Sequence, residues 1–451
     1  MSDSSASYMN FDVKITRIDD QTYLAQVIQS PVGQSLSNRF SPPLSDSDLA
    51  QLILLIEAGA TQGSQDLPRK YGSMLFQTVF SEQMRNSLQR SYDLTRQQHK
   101  KLRLRFMLAE APELHQIPWE YLYSSAWERF IAMSSDTPIV RYLEMDEPEG
   151  NLTADLPLTM LVIIANPQGT ATLDVAGEWQ KIQSALQPLV DQRLLTIERL
   201  ETPTISALQQ KLGKRGATYH IIHFIGHGTF DPNAQQSVLL FEKPDQTQDT
   251  VTGDEFGMVV RDHRPLRLVV LNACKSAQTG EHSALGGIAQ VLMRQVIPAV
   301  VAMQYPLSDS VAKQFTGDFY SALLDEYPID DAISSVRKSL FINDYALEWA
   351  TPILFMRSLD GVLFRRAVAP ALEVVATPEP VVESPPVVEV APKPPIVETP
   401  PAVQAQVEPP AASAQRTVIS AANIGSLKKI HTLTGHDKGI TALAISPDSK
   451  T

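Results

Sequence analysis

One cysteine stands in 451 residues. That scarcity excludes an intrachain disulfide and any zinc site built on several thiolates, so Cys274 acts as a lone thiol in whatever it does. No apolar run approaches the ~20 residues that a membrane helix needs. The first ten residues, Met1 to Asn10, hold no apolar signal core, so no membrane partner is expected and a cytoplasmic location follows. Positive charge is also short: 38 Lys and Arg face 50 Asp and Glu, a net charge of -12, and the basic residues are dispersed. Nucleic acid is therefore excluded as a direct partner, because a phosphate backbone requires concentrated positive surface. No Gly-x-Ser-x-Gly elbow occurs, which argues against a serine hydrolase. No Walker or dinucleotide glycine signature occurs either, and no cofactor is expected.

What remains is the composition of a globular chain, 43% hydrophobic and 20% charged, long enough for two or three domains. Its clearest boundary is compositional. Between Pro370 and Pro410 lie 12 of the 32 prolines, mixed with Val, Glu and Ala and without apolar periodicity, so residues 367–426 are expected to form a stiff, polyproline-like linker and no packed core. Residues 427–451 follow, with Thr434-Gly435-His436-Asp437, an alternating run through Ile445, and Ser446-Pro447-Asp448. They resemble the opening of a WD-repeat propeller blade, expected here as a truncated blade that would bind regulatory protein partners.

Ahead of the linker the rhythm changes twice. Residues 1–110 read as an α+β region, with strands at Phe11–Ile18 and Tyr23–Ile28, a helix from Asp46 capped by Ser45, a helix near Met74–Leu94 and a strand at Leu102–Leu108. Residues 111–366 follow, and their core, 156–366, alternates strand-length apolar runs with amphipathic helices. The runs are Met160–Ala165, Leu194–Leu200, Tyr219–Ile225, Leu266–Leu271 and Ala299–Met303. One helix carries Leu285, Ile288, Ala289 and Leu292, and another carries Val311, Phe315 and Phe319. This pattern predicts an α/β fold with a mainly parallel sheet covered on both faces.

Open parallel sheets gather functional groups beyond the carboxyl ends of their strands. Two strands end in reactive residues: one breaks at Gly226-His227-Gly228, which places His227 just past the strand end, and the other runs through Asn272-Ala273-Cys274. A thiol near pKa 8.5 is only a few per cent thiolate at neutral pH, so a cysteine nucleophile needs a neighbouring base such as imidazole. A lone cysteine also serves as a small buried apolar residue, but a strand-end position favours chemistry. The backbone amides of Gly228 and Cys274 are candidate donors to a developing oxyanion. His220 and His223 lie three apart on a strand, hence on opposite faces, and no shared metal is expected from them with His227.

Three segments carry a family resemblance: His223-Phe224-Ile225-Gly226-His227-Gly228-Thr229-Phe230-Asp231, Leu271-Asn272-Ala273-Cys274-Lys275-Ser276-Ala277, and Trp349-Ala350-Thr351-Pro352. With Pro118-Trp119-Glu120, they resemble the CHAT domain, a caspase-like peptidase family related to separase and found largely in bacteria. The resemblance covers about residues 100–365. It implies a caspase-like fold, a protein or peptide substrate, His227 as general base, Cys274 as nucleophile, and the Gly228 and Cys274 amides as the oxyanion hole. Gln304-Tyr305-Pro306-Leu307-Ser308-Asp309 resembles the separase segment whose aspartate contributes to a pocket for a basic residue, which makes Asp309 a candidate for specificity. Tyr305 stands where that segment has Trp, and Asn272 where metacaspases carry an acid. Asp309 can equally be read as a carboxylate stabilising the helix that follows it. A catalytically silent caspase-like scaffold, signalling only through partners, is the alternative function.

Overall fold

The computed structural model describes residues 8–33, 35–42, 46–57, 66–143, 153–231, 236–273, 284–295, 297–305, 307–343 and 347–366. Cys274, Pro306, Ser45, the linker at 367–426 and the blade at 427–451 lie outside the described residues.

The chain opens with β1 (Tyr8–Arg17), β2 (Tyr23–Gln29) and β3 (Leu36–Phe40), paired antiparallel in that order. Three helices follow: α1 (Asp46–Glu57), α2 (Asp66–Val79) and α3 (Glu82–Gln97). The single helix expected over Met74–Leu94 is in fact the end of α2 and most of α3. It breaks because Ser81 leaves helical geometry at ψ 164° to cap α3, its Oγ accepting from the Met84 amide. After α3 come β4 (Lys101–Glu110), a two-residue hairpin of β5 (Tyr123–Ser124) and β6 (Arg129–Phe130), and β7 (Ile139–Tyr142).

The second half begins with β8 (Ala154–Leu156) and β9 (Leu158–Ile164), then α4 (Val175–Asp191), β10 (Leu195–Arg199) and α5 (Ile205–Leu212). It continues through β11 (Ile221–Asp231), β12 (Gln236–Glu242), β13 (Gln248–Thr252), α6 (Gly253–Arg261) and β14 (Leu268–Ala273). The last elements are α7 (Ala284–Arg294), β15 (Ala299–Met303), α8 (Asp309–Leu324), α9 (Ile329–Ile342), β16 (Pro352–Met356) and β17 (Phe364–Arg366). Local signals start several of these helices. Asp174 and Thr204 cap α4 and α5, and Thr252 and Glu255 form a reciprocal capping box on α6.

Among the described residues thirteen strands join in one sheet, whose main path runs β10-β9-β11-β14-β15-β16-β7-β4-β1-β2-β3. Strands β10 through β15 along that path are parallel, β16 is antiparallel to β15, and β16, β7, β4 and β1 are again parallel. The architecture is thus α/β with a mixed, mainly parallel sheet sandwiched by helices. Strand β16 joins the strands of residues 8–142 to those of residues 158–303 in the same sheet.

Strand alternation sorts the core into two layers. Ile221 and Ile225 of β11 and Leu268 and Val270 of β14 pack with α1–α4, α8 and α9, whereas Ile222, Phe224, Val269 and Leu271 pack with α5–α7. The helix stripes read from the sequence are buried as expected: Leu285, Ile288, Ala289 and Leu292 are at most 3% exposed, and Val311, Phe315 and Phe319 at most 1%. Each of the Leu, Ile, Val and Phe side chains among them contributes about 1.5–3 kcal/mol of transfer free energy.

Candidate functional site

Strands β11, β14 and β15 run parallel, so their carboxyl ends, the loop that leads into α4 and the N-terminus of α8 share one edge of the sheet. The β11–β14 register pairs Ile225 with Asn272 and Gly226 with Ala273. There β11 leaves the parallel sheet. Its backbone does not end before His227, as the sequence suggested, but continues as strand to Asp231, with His227 opposite Leu240 and Gly228 opposite Leu239 of β12. The reason is a change of partner: Thr229 and Phe230 are β-formers and find an antiparallel neighbour in Ser237–Val238. Gly226 sits at the crossover. A Cβ there would lie 2.9 Å from Phe224 Cζ and 3.1 Å from the Ala165 carbonyl oxygen.

His227 is 3% exposed. It is hydrogen-bonded to the Ala171 backbone, while its Nε2 is buried with no partner among the described residues. The Ala171 carbonyl therefore accepts from Nδ1–H, which leaves the lone pair on Nε2. Burial lowers the imidazole's pKa below 6.5, and the Ala171 hydrogen bond opposes that shift. A neutral ring with a fixed tautomer can accept a proton from a donor set before Nε2. Ala171 carried no sequence signal, since a backbone carbonyl can come from any residue.

His223 and His220 are committed to structure. His223, fully buried, shares a 2.8 Å hydrogen bond between Nδ1 and Tyr320 OH, and burial pushes its pKa down to about 3. His220 Nδ1 accepts from the Thr159 amide at 3.0 Å. Among the described residues no group of His, Cys, Asp and Glu could hold a metal ion.

Asn272 is 5% exposed, and its Oδ1 has no partner among the described residues. By strand alternation Asn272 faces the layer that contains α4 and α8, as His223 and His227 do. Tyr305 is 2% exposed and packed in that layer, its OH 3.5 Å from the Gln116 carbonyl. Asp309 opens α8 as a largely exposed carboxylate 2.8 Å from Lys181 Nζ, and Lys181 also holds Glu178 at 2.8 Å. Gly228 is half-buried in the hairpin. Of the six site candidates read from the sequence, His227, Gly228, Asn272, Tyr305 and Asp309 are described, and the nucleophile candidate Cys274 lies outside the described residues.

The Pro118-Trp119-Glu120 segment supports this edge from within the same core layer. Trp119 Nε1 donates to the Leu114 carbonyl at 2.9 Å, and Glu120 accepts from Arg141 at 3.0 Å with Arg337 at 3.7 Å. Arg141 also donates to the His115 carbonyl (2.6 Å) and to Gln304 Oε1 (3.1 Å), and Gln304 Nε2 donates to the Gln116 carbonyl at 2.7 Å. This network anchors the residues just before Tyr305. Gln304 lies 163 positions from Arg141 and 188 from Gln116, so spacing could not reveal the network.

The CHAT domain profile matches residues 69–356. The chain belongs to the CHAT domain family. No curated protein matches the sequence. Among solved structures, it is similar to the Saccharomyces cerevisiae separase in its securin complex at 12% identity and a TM-score of 0.45, covering 78% of this chain. The chain spans only 30% of that separase chain. It is also similar to the Arg-specific cysteine proteinase gingipain R at 9% identity and a TM-score of 0.34, covering 69% of this chain and 75% of the other. The Porphyromonas gingivalis complex of RgpB pro- and mature domains matches at 10% identity and a TM-score of 0.36, covering 71% and 78%. Among the described residues no helix is long and apolar enough to cross a membrane.

Proposed function

We propose that this chain is a CHAT module that engages polypeptides at the carboxyl edge of its sheet. Family and fold support that much by themselves, and a catalytically silent caspase-like scaffold needs nothing beyond them. One observation favours the scaffold: the shift of His227 comes from burial and, opposing it, the Ala171 backbone, so no charged group described beside the ring favours its protonated form.

The more specific reading is a cysteine endopeptidase, and the β11–β14 register is the observation that supports it. Gly226 pairs with Ala273, and the two candidate groups are the next residues in sequence, His227 after Gly226 and Cys274 after Ala273. The unpartnered Nε2 of His227 is the acceptor such a thiol requires. In this mechanism Nε2 takes the Cys274 proton and the thiolate attacks a peptide carbonyl. The amides of Gly228 and Cys274 stabilise the oxyanion, and His227 returns the proton to the leaving amine. Water, deprotonated by His227, then hydrolyses the thioester and restores both groups. Asp309, Asn272 and Tyr305 are the specificity candidates. The linker at 367–426 and the propeller start at 427–451 would bring a regulatory partner to a mobile peptidase.

Because the chain has one cysteine, a single alkyl adduct on the intact protein reports Cys274 alone. The peptidase reading expects rapid alkylation at neutral pH that His227→Ala slows at least tenfold, together with peptide cleavage lost in Cys274→Ala. Equal alkylation rates in both proteins, rising only near the ordinary thiol pKa of about 8.5, with no cleavage of a peptide library, would leave the scaffold.

A further inference from the structure

Strand β10 ends the sheet, and its outer edge has no strand partner among the described residues. Its pairing with β9 fixes which backbone groups face outward. The Leu158 amide donates to the Leu194 carbonyl and the Leu200 amide to the Val162 carbonyl, in the parallel register that pairs Leu195 with Leu158 and Arg199 with Val162. The even-numbered residues of β10 therefore direct their N–H and C=O groups at β9, and those of Leu195, Ile197 and Arg199 point away from the sheet. Edges are guarded against further pairing by proline, lysine, a bulge or an unneutralised charge. The β10 sequence, Leu-Thr-Ile-Glu-Arg, holds neither proline nor lysine, and its register has no shift. Its one carboxylate, Glu198, is held by Lys211 and the Tyr219 hydroxyl. The edge is open to another strand.

The strand that fits it best is β10 itself. An antiparallel second copy with Ile197 opposite Ile197 sets Leu195 opposite Arg199 and Arg199 opposite Leu195. All of these face outward, so each free N–H and C=O on one edge meets its complement on the other. The same register sets Arg193 opposite Glu201 of the second copy, once on either side of the axis, and both residues are exposed. The groove beside the edge is complementary in the same sense. It encloses about 400 Å³ and is lined by Trp179, Gln183, Gln187 and Val190 of α4 and by Ile197. Trp179 is half-buried, packed against the core on one side and open to the groove on the other. The chain reverses at Arg193, φ 59°, so α4 runs back along β10. Val190 then lies at the Leu195 end, and Trp179, about 17 Å earlier on the helix, at the Arg199 end of a strand about 13 Å long. A two-fold axis through Ile197, perpendicular to the sheet, brings both α4 helices to one face and turns Trp179 of each copy toward the Val190 end of the other.

We propose that β10 is a dimer edge, at which two copies of this chain pair antiparallel across Ile197 into one continuous sheet. Because the strands run in opposite directions across the axis, the two edges that carry His227 open on opposite sides, and each copy keeps its own site. The pairing is independent of whether that site is catalytic.

Sedimentation velocity and residue-resolved hydrogen exchange on the full chain test this. A concentration-dependent dimer is expected, in which the amides of Leu195, Ile197 and Arg199 exchange at least tenfold more slowly than in the monomer. The amides of Thr196 and Glu198, bonded to β9, should stay slow in both. Arg193→Glu or Glu201→Arg alone sets like charges together twice across the axis and should weaken dimerisation about tenfold, and the variant carrying both should restore it. Both positions are exposed and flank the strand, so denaturation midpoints should not move. A chain that stays monomeric at its highest soluble concentration overturns the proposal. So does a dimer whose Leu195, Ile197 and Arg199 amides exchange at the monomer's rate, or a double variant that dimerises no better than the single ones. Slowing of those amides in a monomer by an added peptide would overturn it too, by making the edge a docking strand for other polypeptides.

Discussion

Replacing Glu120 by glutamine removes one negative charge from a place where two positive charges depend on it. Glu120 and Arg337 are 0% exposed at the side chain and Arg141 is 1% exposed, with contacts of 3.0 Å to Arg141 and 3.7 Å to Arg337. Burial and the neighbouring Arg141 already lower the Arg337 pKa to about 10, and Glu120 is the group that opposes this. Breaking a buried ion pair from one side costs about 3–5 kcal/mol, because the remaining charge is left without water or partner. Glutamine keeps the shape and an acceptor oxygen, so nearly all of the loss is electrostatic. Against a total stability of about 5–15 kcal/mol, that is a third or more of what holds the fold. Urea denaturation followed by circular dichroism measures it, and a double-mutant cycle with Arg337→Met isolates its cause. With one guanidinium gone, the double variant should lose clearly less than the sum of the two single losses, by about 1–3 kcal/mol. A Glu120→Gln loss below about 1 kcal/mol, or additive single losses, would refute the reasoning.

Acid should weaken the fold. His115 and His223 have pKa values pushed by burial from 6.5 to about 3. Below pH 6.5 the unfolded chain takes up protons that the folded one refuses, so stability is full above that pH and declines towards 3, by ~1.4 kcal/mol per pH unit for each histidine. Denaturation midpoints at pH 7 and 5 should differ accordingly, and equal midpoints would rule this out. Tyr320→Phe removes the hydroxyl bonded to His223 and should cost about 1–3 kcal/mol by leaving a buried ring nitrogen unpaired, read as a lower thermal midpoint. Gly226→Ala forces a methyl against Phe224 and the Ala165 carbonyl. It should cost about 1–3 kcal/mol and shift the His227 ring resonances; an unchanged His227 spectrum would show that the crossover tolerates a side chain.

The sequence made the parallel strands and their helices legible because continuous apolar runs and three-four spacings record burial on both faces. It placed Asn272 at the end of β14 for the same reason, but set His227 beyond a strand that in fact continues through it to Asp231. Three features escaped. The α2–α3 break hides inside a long apolar periodicity and is decided by Ser81. Strand β16 is only five residues long and starts within the Trp349-Ala350-Thr351-Pro352 motif, too short for its apolar run to mark a strand. The prolongation of β11 depends on β12, a partner that local pattern does not identify. The Glu120 network was visible only as a motif without a role, since Arg141, Gln304 and Arg337 meet it through the tertiary fold.

The value of the site rests on how strongly that fold fixes the register of β11 against β14. Six consecutive residue pairs, from Ile221 with Leu268 to Gly226 with Ala273, define it, and both strands are buried on both faces. A slip by one residue would carry Ile221 and Ile225 from one core layer to the other and turn His223 away from Tyr320. The packing that secures His223 therefore also sets the direction of His227, four residues along the same strand, and it does so whether or not chemistry follows. Loss of His223–Tyr320 should thus disturb His227 before it unfolds the sheet. In Tyr320→Phe, the His227 pKa read by NMR should move while β14 amide exchange stays slow. If the two histidines titrate independently of that substitution, the strand does not transmit position from the core to the site.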